Sequence, residues 1–396
     1  MHNKKILLTT SFYPPFHLGG DAMHVHYLAK LLSRVGFEVH VLFSLDSYRL
    51  KKKIKKSQKI NKIEGVKYHI LKSRLGRLEP VLNYCLGSQS HTLKYYKKLV
   101  SKEKFDIIHH HNISLLGHDI LNKINNEIIL YTAHDYWLIC HKYNFMKKHK
   151  LCMQKSCFTC CIIHKKPYQF FRHSKKFKRN INNIDCIICP SEFMKVKIQP
   201  YFKNVKKILN FVPNPTGLAG KNKKRDFFLY AGKLEKCKGI LELIKVFSQS
   251  NEKLVIIGDG KLRKSVKKAS YINRNIEFMG WKNTDKVLNF MQGANALILP
   301  SICLENMSVS ALEAISTGTP VIGAEIGGIP EIVSKVDKDL LFDHRNFNEL
   351  KHILLDFKKK KYKSEKIKSI FKKYFSEKYY LNEYNDLLEE INSGKT

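Results

Sequence analysis

The sequence contains no apolar run that approaches the roughly 18 residues needed to cross a membrane. Glycine and proline are not in excess, with 20 and 11 of 396 residues, and 43% of the residues are hydrophobic. This composition excludes collagen-like and disordered chains and is typical of a globular protein. Because the chain is too long for one ordinary hydrophobic core, two domains are expected.

Acidic residues are scarce, with 34 against 71 lysines and arginines, and the net charge is +37. Residues 1–220 alone hold 39 basic and 12 acidic residues, a net charge of +27. A surface this basic attracts phosphate groups of nucleic acid, anionic lipid or nucleotides. A biased genome that favours Lys, Ile and Asn would produce the same excess without any function, and composition alone does not decide between these interpretations.

The start of the chain has too short an apolar stretch, residues 6–8, to be a signal peptide, and is better interpreted as a first β-strand. We therefore expect a cytoplasmic protein. In that compartment its ten cysteines would be reduced or metal-bound rather than paired in disulfides.

Strand and helix patterns alternate along the chain. Residues 5–10 (KILLTT) are typical of a buried strand, residues 22–35 have helical apolar spacing, and residues 38–43 predict the next strand, which together make a βαβ unit. Further strands are predicted at 105–111, 128–135, 186–191, 226–232, 253–260, 276–280, 294–300 and 320–324.

These patterns predict an α/β protein with two Rossmann-like, doubly wound domains and a cleft between them. Residues 210–225 have the Pro, Gly, Asn and charge of a linker. The expected boundaries are an N-terminal domain at 1–212, a second domain at 213–375, and a C-terminal helix at 376–396 that could pack back on the first domain.

Two glutamates stand eight positions apart in ENMSVSALEAISTGTPVIG (305–323). Ser308 can cap a helix that contains Glu313, while Glu305 lies in the turn before it. The N-terminus of such a helix attracts anions, and the carboxylates can accept hydrogen bonds from hydroxyl groups. Two diols that flank a diphosphate describe a nucleotide sugar. The alternative is that Glu305 only favours the helix dipole and that Glu313 is exposed.

A diphosphate also requires cations and close backbone approach. AGKLEKCKGI (231–240) places Lys233 and Lys238 at a strand-to-helix turn, and Gly19-Gly20 in the first domain lets backbone come near phosphates. Each signal is weak alone, since a Gly-Gly pair is often only a turn. Their order along the chain, at the ends of predicted strands, gives them weight together.

With these motifs, the sequence resembles the GT-B fold glycosyltransferases of family 4, a large group of retaining enzymes. The resemblance covers nearly the whole chain. Its most specific part is the E-x7-E element with A-x-x-x-G-x-P-V-I, supported by segments in both domains. These are FYPPFHLGGDAMHVHYLAKLLSRVGFEVHVL, DIIHHHN, YTAHDYW, IIGDGKLR and FMGW.

The resemblance implies a role for each matching residue. Glu305 would bind hydroxyls of the transferred sugar, Glu313 the nucleotide ribose, and His134 would face the sugar near the reacting carbon. Lys233, where the family usually has Arg, and Lys238 would neutralise the diphosphate, and Gly20 would give it room. Backbone N–H groups in the turn before the helix would cradle sugar and phosphate; they belong to Asn306, Met307, Ser308 and Val309.

The predicted partners are a nucleoside-diphosphate sugar and a glycan or lipid-linked acceptor, without nucleic acid. No D-x-D signature stands out at a strand end, so we expect no metal cofactor in catalysis. The basic first domain, with the run Lys51–Lys56, suggests peripheral binding to the anionic inner face of the cell membrane. The alternatives are a non-catalytic GT-B subunit, an epimerase or phosphorylase of the same fold, and a basic protein that binds membrane or nucleic acid.

A cysteine-rich segment, residues 140–161, follows the HDYW element. Cys157 and Cys160 have the C-x2-C spacing of a zinc knuckle, and Cys140 and Cys152 could complete four thiolates, with Cys161 or His141 as substitutes. The resemblance supports this in part, because some family members carry a similar cluster. The other interpretations are reduced or redox-labile thiols and an iron–sulfur cluster. A four-thiolate zinc site would be structural.

Overall fold

The computed structural model describes residues 4–54, 59–60, 62–147, 150–153, 156–215, 226–357 and 359–394. The chain divides into two compact units. The first comprises Met1–Pro190, Lys195–Ile208 and Asp386–Thr396, and the second comprises Ser191–Met194 and Leu209–Asn385.

The first unit contains a seven-stranded parallel sheet and a small antiparallel hairpin. Its strands are β1 (Lys5–Thr10), β2 (Glu38–Ser44), β3 (Val66–Leu71), β4 (Ile107–His110), β5 (Ile128–Thr132), β6 (Met146–Lys147), β7 (Lys150–Leu151), β8 (Cys186–Cys189) and β9 (Val205–Lys207). The order is β3-β2-β1-β4-β5-β8-β9, and β6 pairs with β7. β1 is buried from Ile6 to Thr10, as expected for a parallel strand covered on both faces.

Helices connect these strands. They are α1 (Gly20–Arg34), α2 (Leu45–Arg49), α3 (Leu78–Leu86), α4 (Ser90–Glu103), α5 (Cys157–Ile163), α6 (Lys175–Asn182) and α7 (Glu192–Ile198), with 3-10 turns at His118–Leu121, Phe170–His173 and Gln199–Tyr201. α1 buries one apolar face that includes Val25, Leu28 and Leu32, which is the face predicted from the helical spacing.

The second unit repeats this arrangement with a six-stranded parallel sheet. Its strands are β10 (Phe228–Ala231), β11 (Leu254–Ile257), β12 (Ile276–Gly280), β13 (Leu297–Leu299), β14 (Val321–Ala324) and β15 (Leu341–Phe342). The order is β12-β11-β10-β13-β14-β15. β10 and β11 are buried at every position, which explains why they appear in the sequence as short continuous apolar runs.

The helices that follow in the chain are α8 (Ile240–Phe247), α9 (Arg263–Ile272), α10 (Thr284–Gly293), α11 (Val309–Ser316), α12 (Ile329–Val333), α13 (Phe347–Phe357), α14 (Ser364–Tyr374) and α15 (Glu377–Asn392), with 3-10 turns at Lys236–Lys238 and Lys338–Leu340. Among the helices in the described part of the chain, none is long and apolar enough to span a bilayer.

The predicted fold class, two parallel α/β sheets in tandem, is confirmed. The sequence patterns did not predict five strands. β3 and β9 are partly exposed and have a weak apolar signal, and β6, β7 and β15 are only two residues long. Residues 216–225 of the predicted linker, and Lys55 and Lys56 of the predicted membrane contact, lie outside the described residues.

The strand order reverses at one point in each sheet, between β1 and β4 in the first and between β10 and β13 in the second. In open α/β sheets, ligands bind beyond the carboxyl ends of the strands at such a point. The loops that follow these four strands are therefore where a functional site is expected in each unit.

Candidate active site

In the second unit, the loops after β10 and β13 bring Lys238 and Glu305 into direct contact. The Lys238 ammonium donates a hydrogen bond to Glu305 Oε1, and the Ser301 hydroxyl donates a second to the same oxygen at 2.7 Å. The two charged side chains are 28% and 17% exposed, so the ion pair is only partly screened by solvent. These residues lie 67 positions apart in the chain.

The pair keeps both groups charged. Burial alone would raise the pKa of Glu305, but the Lys238 charge and hydrogen bond, the Ser301 hydroxyl and the Lys233 charge outweigh it and lower that pKa. Burial would likewise lower the pKa of Lys238, but the Glu305 carboxylate raises it above its ordinary value. The site therefore holds a fixed ammonium beside a fixed carboxylate.

Glycine is required where the two loops meet. Gly239 has φ 68°, and a Cβ there would lie 1.7 Å from the carbonyl oxygen of Pro300. The Ile302 N–H donates to the Cys237 carbonyl at 3.0 Å, which links the same loops through their backbones. The Lys238 ammonium is therefore held beside Glu305 by backbone contacts as well as by charge.

Lys233, the second predicted diphosphate ligand, is exposed. Its carbonyl oxygen accepts a hydrogen bond from the Tyr230 hydroxyl at 2.7 Å, which orders the loop after β10. Its charge contributes to lowering the pKa of Glu305, so its ammonium is near enough to act on that carboxylate.

The predicted helix after Glu305 is α11. Ser308 caps it, as the sequence predicts, by accepting a hydrogen bond from the Ala311 N–H at 3.4 Å. Asn306 lies in the turn before the helix, Met307 is buried, and Val309 is the first helical residue. The N–H groups of this turn and of the first helical turn follow Glu305 directly in the chain.

Glu313 lies one turn inside α11 and is half-buried. Burial raises its pKa to about 7, since the carboxylate loses hydration. The alternative of an exposed helix residue is therefore wrong. A carboxyl whose pKa is perturbed in this way is the kind of group expected at a functional site.

Sequence reasoning missed two glycines that support the turn. A Cβ on Gly327 would lie 2.2 Å from the Glu305 carbonyl oxygen, and one on Gly328 would lie 1.9 Å from the Asn306 carbonyl oxygen. The Gly328 N–H also donates to the Glu305 carbonyl at 2.6 Å. The available signal was the Gly-Gly pair itself, which follows β14 just as Gly19-Gly20 follows β1.

In the first unit, helix α1 and the loops after β4 and β5 bring histidines together. His134 Nε2 and His111 Nδ1 share a hydrogen bond of 3.0 Å, and the His24 ring centroid lies 5.1 Å from that of His134. Burial lowers the pKa of His134 to about 4, and Asp21 opposes this only in part. The pKa values of His24 and His111 are also lowered, first by burial. These imidazoles are neutral at pH 7.

The Gly19-Gly20 pair stands at the start of α1, with Gly19 as the extended residue before the helix and Gly20 as its first residue. The next residue, Asp21, accepts a hydrogen bond from the Asn112 side chain at 3.0 Å. The Ser11 N–H donates to the Asn112 carbonyl at 2.6 Å, so the loops after β1 and β4 adjoin.

Asp135 follows His134 and accepts a hydrogen bond from the Trp137 N–H at 2.8 Å. Burial raises the pKa of Asp135 to about 7, against this hydrogen bond. A carboxyl group that can change its protonation near neutral pH thus adjoins the predicted sugar-facing histidine.

The four predicted zinc ligands are all half-buried; they are Cys140, Cys152, Cys157 and Cys160. Burial, and then the thiols of the other three, raise the pKa of Cys157, so the four groups are close enough to interact. Within the described residues, two clusters have three potential metal-ligand atoms within 4.8 Å of one another. One consists of His24, His111 and His134, and the other of Glu38, His40 and Glu103. The four cysteines are therefore neighbours, but their sulfur atoms lie further apart than the ligand atoms of those two clusters.

The comparisons with known proteins cover most of the chain. Residues 18–216 match the family described as Glycosyltransferase Family 4, and residues 218–374 match Glycosyl transferases group 1. The relative "Uncharacterized glycosyltransferase MJ1178" of Methanocaldococcus jannaschii is 26% identical over 358 residues, which are 89% of this chain and 88% of that protein.

A second relative, from Escherichia coli, is named UDP-Gal:alpha-D-GlcNAc-diphosphoundecaprenol alpha-1,3-galactosyltransferase. It is 26% identical over 254 residues, which are 58% of this chain and 60% of that protein. Among solved structures, sucrose-phosphate synthase from Thermosynechococcus elongatus has a TM-score of 0.73 at 17% identity and covers 99% of this chain and 100% of its own. This likeness shows a shared fold.

Proposed function

Because the chain belongs to the glycosyltransferases that carry a Glycosyltransferase Family 4 domain, we propose that it is a retaining hexosyltransferase. It moves a sugar from a nucleoside-diphosphate sugar to an acceptor hydroxyl. The bond from the anomeric carbon to the diphosphate oxygen breaks, and a bond to the acceptor oxygen forms on the same face of the sugar. The hydroxyl proton leaves to the departing diphosphate or to solvent.

The observation that carries this proposal is the Lys238–Glu305 pair at the point of strand reversal in the second sheet. Negative charge grows on the diphosphate as it leaves, and a preorganised ammonium stabilises the transition state more than the ground state. Lys233 and the N–H groups at the start of α11 add to this stabilisation. Glu305 keeps Lys238 protonated and oriented, and its second carboxylate oxygen can accept a hydrogen bond from a sugar hydroxyl.

In this proposal Glu313 binds the ribose hydroxyls, and His134 acts on the transferred sugar. The sugar gains positive charge as its bond to the diphosphate breaks. An imidazole with a pKa near 4 is neutral at pH 7 and does not repel that charge. It remains able to hydrogen-bond to a sugar hydroxyl.

Two lysines and a helix N-terminus provide the positive charge that a divalent ion provides in other enzymes of this kind. We therefore expect transfer to survive exhaustive chelation. Complete loss that is restored by Mn²⁺ or Mg²⁺ would contradict this part of the proposal.

The acceptor is proposed to be a glycan or a lipid-linked oligosaccharide in cell-surface polysaccharide synthesis. The support is the name of the Escherichia coli relative, which specifies a diphosphoundecaprenol-linked substrate, together with the +27 charge of residues 1–220. A peripheral position on the inner face of the cell membrane would give access to such an acceptor.

The function is tested first on the donor. Nucleotide sugars are screened by thermal shift, because a ligand at 100 times its Kd adds about 2.7 kcal/mol of stability. Donors that bind are then incubated with candidate acceptors, and NMR of the product reports the anomeric configuration. Inversion would refute the retaining mechanism. Donor binding without turnover on any acceptor would favour the non-catalytic subunit.

We also propose a structural zinc ion on Cys140, Cys152, Cys157 and Cys160. Four thiolates would complete a tetrahedral shell and leave no position for water. Zinc would draw the sulfur atoms to about 2.3 Å from the ion and pin the segment between β5 and α6. Metal analysis of protein purified without chelator tests it: less than about a tenth of an equivalent of zinc, with Cys157→Ser folding normally, would refute the site.

A further inference from the structure

The segment after His134 has an extreme charge. Residues 136–184 contain twelve lysines and arginines and no aspartate or glutamate. The acidic residues nearest in sequence are Asp135 and Asp185, at either side of the segment. One stretch of the first unit therefore concentrates positive charge without local acidic partners in sequence.

The same segment exposes large apolar side chains. In α5, Phe158, Ile162 and Ile163 are 53%, 62% and 57% exposed, and Cys161 is the residue of the helix that is buried. Phe170 is 70% exposed. Isolated exposed apolar residues are ordinary, but several on one short helix indicate a surface that binds something.

A second helix extends this surface. In α3, Leu78 and Leu86 are 63% and 60% exposed. The Gln169 side chain donates to the Tyr84 carbonyl at 3.0 Å, which joins the end of α3 to the segment that carries Phe170.

Aromatic contacts join that segment to α5 in turn. The Tyr168 ring lies 5.4 Å from Phe158 and 4.9 Å from Phe170, between ring centroids. The three elements therefore form one neighbourhood of exposed Leu, Ile and Phe side chains. We call it the α3–α5 surface.

The α3–α5 surface rests on a fixed base. Arg172 donates hydrogen bonds to the carbonyls of Trp137 and, at 3.2 Å, Leu138, and its guanidinium lies 5.2 Å from the Trp137 ring. The Tyr84 hydroxyl also donates to the His141 carbonyl at 2.8 Å. Trp137 follows His134 by three residues, so this base continues the loop of the predicted sugar-facing histidine.

We propose that the α3–α5 surface docks on an anionic lipid bilayer. The proposal rests on the proposed function, since it names the membrane contact through which a lipid-linked acceptor is reached. Exposed Phe, Ile and Leu beside Lys165 and Lys166 match an interface where apolar groups enter the acyl boundary and lysines meet lipid phosphates. The charge complementarity selects a bilayer with anionic lipid over a neutral one.

The test is co-sedimentation with phosphatidylcholine vesicles that contain or lack phosphatidylglycerol. The wild-type protein is expected to sediment with the anionic vesicles only. Ile162→Glu/Ile163→Glu should weaken this binding about tenfold or more. Lys165→Glu/Lys166→Glu should weaken it about tenfold at low salt and much less at high salt.

Matched controls exist on α9 of the second unit. Tyr271 and Ile272 are 92% and 64% exposed, so Tyr271→Glu/Ile272→Glu removes as much exposed apolar surface elsewhere. Lys267→Glu/Lys268→Glu reverses two exposed lysines of the same helix. Both control pairs should leave vesicle binding within about twofold of wild type.

Thermal shift with nucleotide sugars separates the two proposals. Sedimentation as expected, without a donor that shifts the Tm, would refute the proposed function and keep the docking surface. A donor shift in a protein that ignores anionic vesicles would refute the docking surface. The same holds if the control variants lose as much binding as the α5 variants, or if the protein binds DNA but not vesicles.

Discussion

The two units place their candidate sites at the same point of two similar sheets, but the sites differ in charge. In the second unit, the opposite charges of Lys238 and Glu305 outweigh burial, so both groups stay ionised. In the first unit, burial prevails and His134 is neutral. Topology thus sets where a site forms, while the side chains of a few loops decide whether it works through charge or through neutral hydrogen bonds.

The largest effect should come from removing the fixed charge. Lys238→Ala is expected to lower kcat by about 10²–10³, because one preorganised group that stabilises the transition-state charge is lost. It also leaves the Glu305 carboxylate without its counter-ion, which should reduce stability by about 1–3 kcal/mol. Steady-state kinetics and urea unfolding measure the two effects.

Lys236→Ala is the matched control, since Lys236 is an exposed lysine of the same 3-10 turn. It should change kcat less than about twofold and leave stability within about 0.5 kcal/mol. If Lys238→Ala lost stability but kept kcat, the lysine would be structural, and the site of the second unit would not act through charge.

The neutral site should reveal itself by pH. The pKa of His134 is lowered to about 4 and that of His110 to about 3, both first by burial. Unfolded histidine titrates near 6.5, so the unfolded chain binds more protons below that pH. The contribution of these histidines to the free energy of unfolding is therefore highest above about pH 6.5 and decreases as the pH falls, by up to about 1.4 kcal/mol per pH unit for each histidine.

Urea unfolding between pH 7 and pH 4.5 measures this slope. His134→Asn should make the slope shallower by up to about 1.4 kcal/mol per pH unit. His352→Asn, a change at an exposed position of α13, should leave it unchanged. An unaltered slope in His134→Asn would mean that this imidazole is not held neutral by the fold.

Much of the fold could be predicted because its signals are local. Buried parallel strands such as β1 and β11 appear as continuous apolar runs. The Ser308 side chain caps α11 by a hydrogen bond to Ala311, only three positions further along the chain. The strands that escaped prediction have no such run, because β3 and β9 are partly exposed and β6, β7 and β15 are only two residues long.

The pairing of site residues could not be predicted in the same way. Sequence position indicated Lys238 and Glu305 separately, but their direct contact depends on two loops that a strand reversal brings together. The contact of Gly327 and Gly328 with the Glu305 turn is equally non-local, because another strand, β14, lies between them in sequence. The neutral state of His24, His111 and His134 could not be predicted either, because it follows from their burial in the folded protein.

Glu313 sharpens the comparison from inside the second unit, since its carboxyl is buried without the strong pairing of Glu305. Its pKa is raised to about 7, against an unfolded value near 4.3. The folded state therefore binds more protons, and its contribution to stability is full below pH 4 and is lost as the pH rises to 7. Glu313→Gln should be more stable than wild type at pH 8 by about 1–3 kcal/mol.

The gain should disappear near pH 4.5. Donor binding should weaken about tenfold at pH 8, where Glu313 is ionised and the amide is a poorer acceptor of hydroxyl hydrogen bonds. Differential scanning fluorimetry and a donor titration measure both. Glu325→Gln, an exposed change in the same unit, serves as the control. A variant that is no more stable at pH 8 would show that Glu313 is solvated in the folded protein.

The smallest effect concerns two thiols, Cys237 in the second unit and Cys85 in the first, whose pKa values shift in opposite directions. A hydrogen bond with Cys303 lowers the pKa of Cys237 to about 7 against burial, and the Lys238 charge adds to the effect. In α3, burial raises the pKa of Cys85. Since the thiolate is the reactive form, iodoacetamide at pH 7.5 should alkylate Cys237 before Cys85, as peptide mass spectrometry can resolve.

Cys303→Ala should slow the reaction at Cys237 about three- to tenfold without changing that at Cys85. Equal rates at Cys237 in the two proteins would mean that the thiolate is stabilised by Lys238 alone, and the charge of the second site would then reach further than the pair with Glu305.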